Sequence, residues 1–319
     1  LFVFTLLFAT TLFARDQIKI VGSSTVYPFA TTVAERFGKT SGFKTPVVES
    51  TGSGGGLKLF CAGLGTQHPD ITNASRRIKQ TEIDNCKKNG IKDITEVKIG
   101  YDGIAIANSK KGVNFHLSTR DLYLALAKDV PADINGKTVK PNPYKKWIEI
   151  NPTYPGLPIV VYGPPPTSGT RDALNELGIE RGCKTYPERK KLKESNKKLY
   201  KSECRAIRTD GVYIEAGEND NLIIEKLKTN PDSLGIFGYS FLDENRDKVK
   251  AATINGVSPE FELISNGTYP ISRSLWFYVK DAHAAVIPGI REYVKEFTSD
   301  RAIGDDGYLI EKGLIPLND

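Results

Sequence analysis

Three short loops rich in serine, threonine and glycine each stand where an extended run gives way to a helical pattern. They occupy residues 22–25 (Gly-Ser-Ser-Thr), 52–56 (Gly-Ser-Gly-Gly-Gly) and 167–171 (Thr-Ser-Gly-Thr-Arg). A helix start leaves backbone N–H groups without partners and carries about half a positive charge, so hydroxyls and glycines placed there offer donors to an anion and room for its approach. Any one such loop is ordinary capping, because Ser and Thr are the usual N-cap residues. The same device three times over, with Arg76 and Arg171 each beside a hydroxyl residue, points to a tetrahedral oxyanion, provided the fold brings the loops together.

The flanking patterns set the fold class. Residues 17–21 are β-rich, and Val26, Phe29, Ala30, Val33, Ala34 and Phe37 follow the first loop at helical spacing. Residues 45–49 are extended before the second loop, and Leu57, Leu59, Phe60 and Leu64 follow it. Residues 157–162 precede Pro164-Pro165-Pro166 and the third loop, after which Ala173, Leu174 and Leu177 suggest a helix. Strand, loop and helix in alternation make an α/β chain. Residues 70–74, 95–99, 103–107 and 234–239 also read as extended, as does a piece holding Trp147 and Ile150. Residues 81–88, 120–127, 221–228, 283–298 and 302–312 read as helical, and the lysine-rich stretch 187–201 as one solvated helix. With 319 residues the chain exceeds the usual single domain, so two are expected. The turn-rich residues 108–112 suggest the crossing between them and residues 265–272 the return, which gives residues 15–109 plus 268–319 as one lobe and 110–267 as the other.

Residues 1–14 are apolar and uncharged, shorter than the about 20 residues a bilayer crossing needs, and end in Ala14 before Arg15 and Asp16. They read as a signal peptide, with the mature protein starting near Arg15. No cysteine follows them, which gives no support to lipid attachment, and no later stretch is apolar enough to span, so an exported, soluble protein is expected. An oxidising compartment suits the four cysteines, which fall into two local pairs, Cys61 with Cys86 and Cys183 with Cys204, and read as disulfides. The competing zinc site lacks a Cys-x-x-Cys, and His68, His116 and His283 are scattered, so neither metal nor cofactor is expected.

The net charge of +6 comes from 44 basic and 38 acidic residues that alternate along the chain, which argues against nucleic acid and suits a small anion, a membrane surface or solubility alone. The glycine loop at 52–56 is not a dinucleotide fingerprint, and no Gly-Lys-Ser/Thr follows it. Ser53 stands one residue too early for a hydrolase nucleophile elbow, and a serine nucleophile would need its base from the scattered histidines.

Taken in order, several motifs together resemble one family: Val21-Gly22-Ser23-Ser24-Thr25-Val26-Tyr27-Pro28, Gly52-Ser53-Gly54-Gly55-Gly56, Asp70-Ile71-Thr72-Asn73-Ala74-Ser75-Arg76, Tyr101-Asp102-Gly103-Ile104-Ala105, Ser168-Gly169-Thr170-Arg171, Gly235-Ile236-Phe237-Gly238-Tyr239 and Tyr269-Pro270-Ile271. The family is that of the periplasmic substrate-binding proteins of phosphate ABC transporters, the PstS-like proteins. The resemblance covers nearly the whole mature chain. It implies a two-lobed, type II-like periplasmic binding protein fold that closes by a hinge on dehydrated phosphate, a monomer that delivers its cargo to a permease with its ATPase and is not an enzyme. Carried onto this chain, it implies donors from Ser24, Thr25 and Ser53 on one lobe and from Ser168, Gly169 and Thr170 on the other. Two departures stand out. The family's arginine shortly before Ser-Gly-Thr is replaced here by Pro164-Pro165-Pro166, which leaves Arg171 or Arg76 to supply the charge, and Ser75 stands where the family has an aspartate. Phosphate near neutral pH keeps a proton that sulfate lacks, so a buried carboxylate that accepts it separates the two anions. Asp102 is the candidate acceptor, with Glu215, Asp220 and Asn221 behind it. A receptor for sulfate, arsenate or a phosphonate, and a secreted phosphatase or hydrolase, are the alternatives.

Overall fold

The computed structural model describes residues 15–166, 168–217 and 220–317, so the expected leader over residues 1–14 and Thr167 of the third loop lie outside the described residues. Nine strands among the described residues are connected by hydrogen bonds: Lys19–Gly22 (β1), Val47–Ser50 (β2), Ile71–Ala74 (β3), Ile94–Ser109 (β4), Val161–Gly163 (β5), Tyr213–Glu215 (β6), Leu234–Gly238 (β7), Val249–Ala251 (β8) and Ser272–Lys280 (β9). The order is β2-β1-β3-β9-β4-β7-β5-β6, with β8 also on β4. Pairing is parallel among β1, β2 and β3 and among β5, β6 and β7, as short strands fed by helical crossovers require. It is antiparallel wherever β4 or β9 takes part.

The central strand serves both halves. From Ile94 to Gly103, β4 pairs with β9, and from Ile104 to Ala107 it pairs with β7. The return chain crosses at the same level: Ile104 N–H donates to the Ile271 carbonyl at 2.9 Å, and the buried Tyr269 hydroxyl donates to the Ile104 carbonyl at 2.9 Å. The pairing therefore changes hands before the turn at 108–112 where the sequence suggests a crossing. The extended runs 95–99 and 103–107 are one 16-residue strand, and Ala107, Asn108 and Ser109 are still paired with β8.

Two cores flank this strand. The helix Tyr27–Thr40 (α1) turns Phe29, Ala30, Val33, Ala34 and Phe37 onto β1 and β9, where they meet Ile20 and Phe277. The larger core gathers Ile104 and Ile106 of β4 with the helix Thr119–Leu126 (α2) and Trp147. Trp147 does not lie in an extended piece as expected but opens a helical turn, Trp147–Ile150, buried against Phe115 at 5.4 Å between ring centres. The lysine-rich stretch is two helices, Pro187–Ser195 and Lys197–Cys204, because the Asn196 side chain accepts from Leu199 N–H at 3.0 Å and starts a new helix. Pro288 and Gly289, the latter at φ 86°, likewise divide the helix expected over 283–298. The one expected over 302–312 is reduced to the short pieces Asp300–Ile303 and Ile310–Lys312. No helix among the described residues is long and apolar enough to cross a membrane.

Cys61 pairs with Cys86, and Cys183 with Cys204. The loop after Cys61 is pinned a second time, from the far end of β9. The Lys280 ammonium donates to the Gly63 carbonyl at 2.7 Å, and the His283 ring faces the Leu64 carbonyl at 2.9 Å and the Asp70 carboxylate at 2.7 Å. Lys280 is fully buried, and burial pulls its amine down to about 8, with the charge of Asp70 opposing the shift. In the unfolded chain the amine returns to its ordinary 10.5, so between pH 8 and 10.5 the unfolded state binds more protons and this group's contribution to stability rises with pH. Urea unfolding of the wild type and Lys280→Met at pH 8 and pH 10 should therefore show the wild type gaining on the variant as pH rises. A difference that stays constant between the two pH values would contradict the burial of a lysine that changes its charge there.

Candidate functional site

The first loop leaves β1 at Gly22, whose backbone lies so close to Asn73 that a Cβ would fall 2.2 Å from the Asn73 carbonyl oxygen. No side chain caps α1, and the Ser23 carbonyl accepts from Tyr27 N–H at 3.0 Å. The hydroxyls of Ser24 and Thr25 are thereby left for other partners. Ser24 donates to the Asp172 carboxylate, and the Thr25 hydroxyl accepts from the Arg273 guanidinium.

The second loop opens the helix Ser53–Phe60, which rests on β1 where only glycine fits: a Cβ on Gly56 would meet the Gly22 Cα at 2.4 Å. The Ser53 hydroxyl accepts from Ser75 N–H at 3.0 Å and lies 3.1 Å from the Ser75 hydroxyl. Arg76 reaches Glu82 with two bonds of 2.9 and 2.7 Å, and that contact, more than the nearby charges, raises its pKa.

The third loop opens the helical segment Gly169–Ala173, which widens over Leu174–Ile179 and closes as Glu180–Cys183. Ser168 caps it, its hydroxyl accepting from Thr170 N–H at 3.2 Å. Gly169 lies directly against the first loop: a Cβ there would stand 3.0 Å from the Thr25 Cα and 3.3 Å from the Ser24 carbonyl oxygen. Arg171 turns the other way. Its guanidinium donates to the Pro164 carbonyl at 3.0 Å, stacks 4.2 Å over the Tyr213 ring and lies 3.9 Å from Glu215. The Tyr213 hydroxyl donates to the same carbonyl at 2.8 Å, so Arg171 and Tyr213 together hold the proline loop.

The first and third loops thus meet on a cleft of about 660 Å³ lined by Thr25, Asp102, Ser168, Gly169 and Thr170, with Asp220 and Asn221 on the rim from the second half of the chain. Ser24, Ser53, Ser75, Arg76 and Arg171 are not among its lining residues, and neither are His68, His116 and His283. The described residues hold no cluster of side chains suited to a metal ion. Behind Thr25 and Asp102 lies a residue that reading the sequence missed, Arg273 on β9. Its side chain is 7% exposed, and its Nε donates to Asp102 at 3.2 Å while Nη1 donates to Glu176 at 3.1 Å. Burial pushes the Asp102 carboxyl above its ordinary range, and the charge and hydrogen bond of Arg273 oppose that shift. The one sign in the sequence is that Arg273 stands two residues after the Tyr269-Pro270-Ile271 motif, in a strand whose alternation of Ser, Arg and Ser hides its charge among small polar residues.

The profile of the PBP superfamily domain matches residues 9–301. Protein SphX of Synechococcus elongatus is 32% identical over 95% of this chain and 78% of its own. The phosphate-binding protein PstS of Staphylococcus saprophyticus is 27% identical over 90% of this chain and 77% of its own. The chain belongs to the PstS family of the PBP superfamily. The fold agrees: the crystal structure of a possible phosphate binding protein from Planctomyces limnophilus superposes with a TM-score of 0.72 at 27% identity, covering 95% of this chain and 93% of that one. The two-lobed α/β class expected from the family motifs is what the shared strand β4 and its two flanking sheets display.

Because Arg171 is bonded inward in this member of the family, its replacement acts on the fold. Arg171→Lys loses the planar stack on Tyr213 and the directed bond to Pro164, which together are worth about 1–2 kcal/mol. Equilibrium urea unfolding should show a loss of that size; unchanged stability would mean that the guanidinium does not hold the proline loop.

Proposed function

We propose that this protein captures inorganic phosphate at the seam between its two lobes and delivers it to a membrane permease with its ATPase, as an exported monomeric receptor and not a catalyst. The observation that carries the reading is the meeting of the Ser24 and Thr25 loop with the start of the Ser168 to Thr170 helix, backed by the buried guanidinium of Arg273. The buried guanidinium of Arg273 and the hydroxyls of Thr25, Ser168 and Thr170 come together there from both sides, the groups a tetrahedral oxyanion requires. The names of the PstS relatives and of the Planctomyces limnophilus structure support phosphate as that anion.

In this reading the lobes divide where β4 changes partners, with residues 15–103 and 272–317 on one side and 104–271 on the other. Thr25, Ser168, Gly169 and Thr170 supply donors, Ser24 ties the first loop to Asp172 beside them, and Arg273 supplies the charge that Pro164-Pro165-Pro166 does not. Ser53, Ser75 and Arg76 keep the neighbouring helix start in place beside them, and Arg171 does the same for the proline loop. Asp102 accepts the proton of phosphate and repels sulfate, which has none to give. Its raised pKa gives the pH dependence a direction: as pH falls through it, Asp102 becomes protonated, loses its accepting role, and discrimination against sulfate fades.

Calorimetric titration of the mature protein with phosphate should give one site of micromolar or tighter affinity, about −8 kcal/mol or more favourable, that excess sulfate does not displace at pH 8. Arg273→Gln removes the charge, and Gly169→Ala presses a methyl group against the backbone of Thr25, so each should weaken binding at least about tenfold, roughly 1.4 kcal/mol, while the variants stay folded. No heat of phosphate binding, or ready displacement by sulfate, would turn the reading toward another oxyanion. Unaltered affinity in both variants would remove this seam from the site.

A further inference from the structure

Carboxylates crowd the guanidinium of Arg273 at the seam. The carboxylates of Asp102 and Glu176 share the guanidinium of Arg273, and Asp172 reaches across to Ser24. An incoming phosphate, itself an anion, meets a site whose one buried cation is already occupied twice, so one carboxylate has to give way before the new charge can settle. The two on Arg273 are not alike. Asp102 is held in the shared strand, with its side chain only 12% exposed. Glu176 comes from the opposite lobe, its side chain is 41% exposed, and it has a second partner: its other oxygen accepts from Arg205 Nη1 at 2.9 Å. Arg205 is fixed on the same lobe as Glu176 by the buried carboxylate of Glu180, 2.5 Å away. Glu176 can therefore leave Arg273 without being left unpaired, and Asp102 cannot.

We propose that Glu176 is an internal stand-in for the ligand, a carboxylate that occupies Arg273 Nη1 across the seam until phosphate displaces it onto Arg205. The contact has two effects. It holds the lobes together in the absence of ligand, because Glu176 and Arg273 lie on opposite sides of the seam. It also lowers the apparent affinity, because only the fraction of molecules with Arg273 uncovered is competent to bind. Glu176 thus sets the working affinity of the receptor without needing to touch the bound anion, and a weaker competing anion such as sulfate has to overcome the same carboxylate.

The inference rests on phosphate binding at this seam, and the experiment separates the two. Phosphate is titrated calorimetrically into the wild type, Glu176→Gln and Glu176→Ala, with circular dichroism confirming the fold of each. The expected result is an affinity about tenfold tighter in both variants, the neutral side chain no longer competing for Arg273. In parallel, small-angle X-ray scattering of the ligand-free proteins should show the variants more open than the wild type and all three equally compact with saturating phosphate. Binding by the wild type with equal or weaker affinity in both variants overturns the role of Glu176 and leaves the phosphate reading standing. Silence in all three proteins overturns both. Binding that appears only when Glu176 is neutralised supports the stand-in and shows it to be nearly complete.

Discussion

Everything in this molecule hangs on one strand serving two sheets. Between Gly103 and Ile104 the backbone of β4 passes from β9 to β7 without a loop, so the two halves are joined by paired backbone and not by a free linker. The second connection is tied to the first at the same level by the bond from Ile104 to Ile271 and by the Tyr269 hydroxyl on the Ile104 carbonyl. The same pairing sets Asp102 and Arg273 side by side, since they are direct cross-strand partners at the end of the first sheet.

Away from this strand the first and third loops approach closely: a Cβ on Gly169 would stand 3.0 Å from the Thr25 Cα, near enough that the neighbouring backbone would have to shift by a few tenths of an ångström. The carboxylates of Asp102 and Glu176 compensate the buried guanidinium of Arg273, and the cleft beside it mixes the polar Ser168 and Thr170 with the apolar Pro28, Phe29 and Phe241.

Much of the architecture was legible in the sequence because it rests on local signals. The alternation of extended runs, hydroxyl-rich loops and helical spacing gave the α/β class, and the local cysteine pairs are the disulfides observed. Less legible were elements whose identity depends on distant partners. The runs at 95–99 and 103–107 look like separate strands because Gly100 and Gly103 interrupt them, yet pairing with β9 and β7 carries one strand through both. Trp147 sits in a helical turn because its ring is buried against Phe115, a contact that no neighbouring residue announces. In the site, Arg171 stands beside the third loop in the sequence, and its position on the helix turns it toward Pro164 and Tyr213. Arg273, far along the chain and among serines, reaches Thr25 through the topology alone.

The central claim is that a phosphate ion sits on the seam, touching both loops and the guanidinium of Arg273. A crystal structure of the protein grown with phosphate tests it most directly. The account predicts one ion bound by Thr25, by the backbone and hydroxyls of Ser168 to Thr170, and by Arg273, with Asp102 within hydrogen-bond distance of a protonated oxygen. An ion held elsewhere, or on the seam without Arg273, would contradict it.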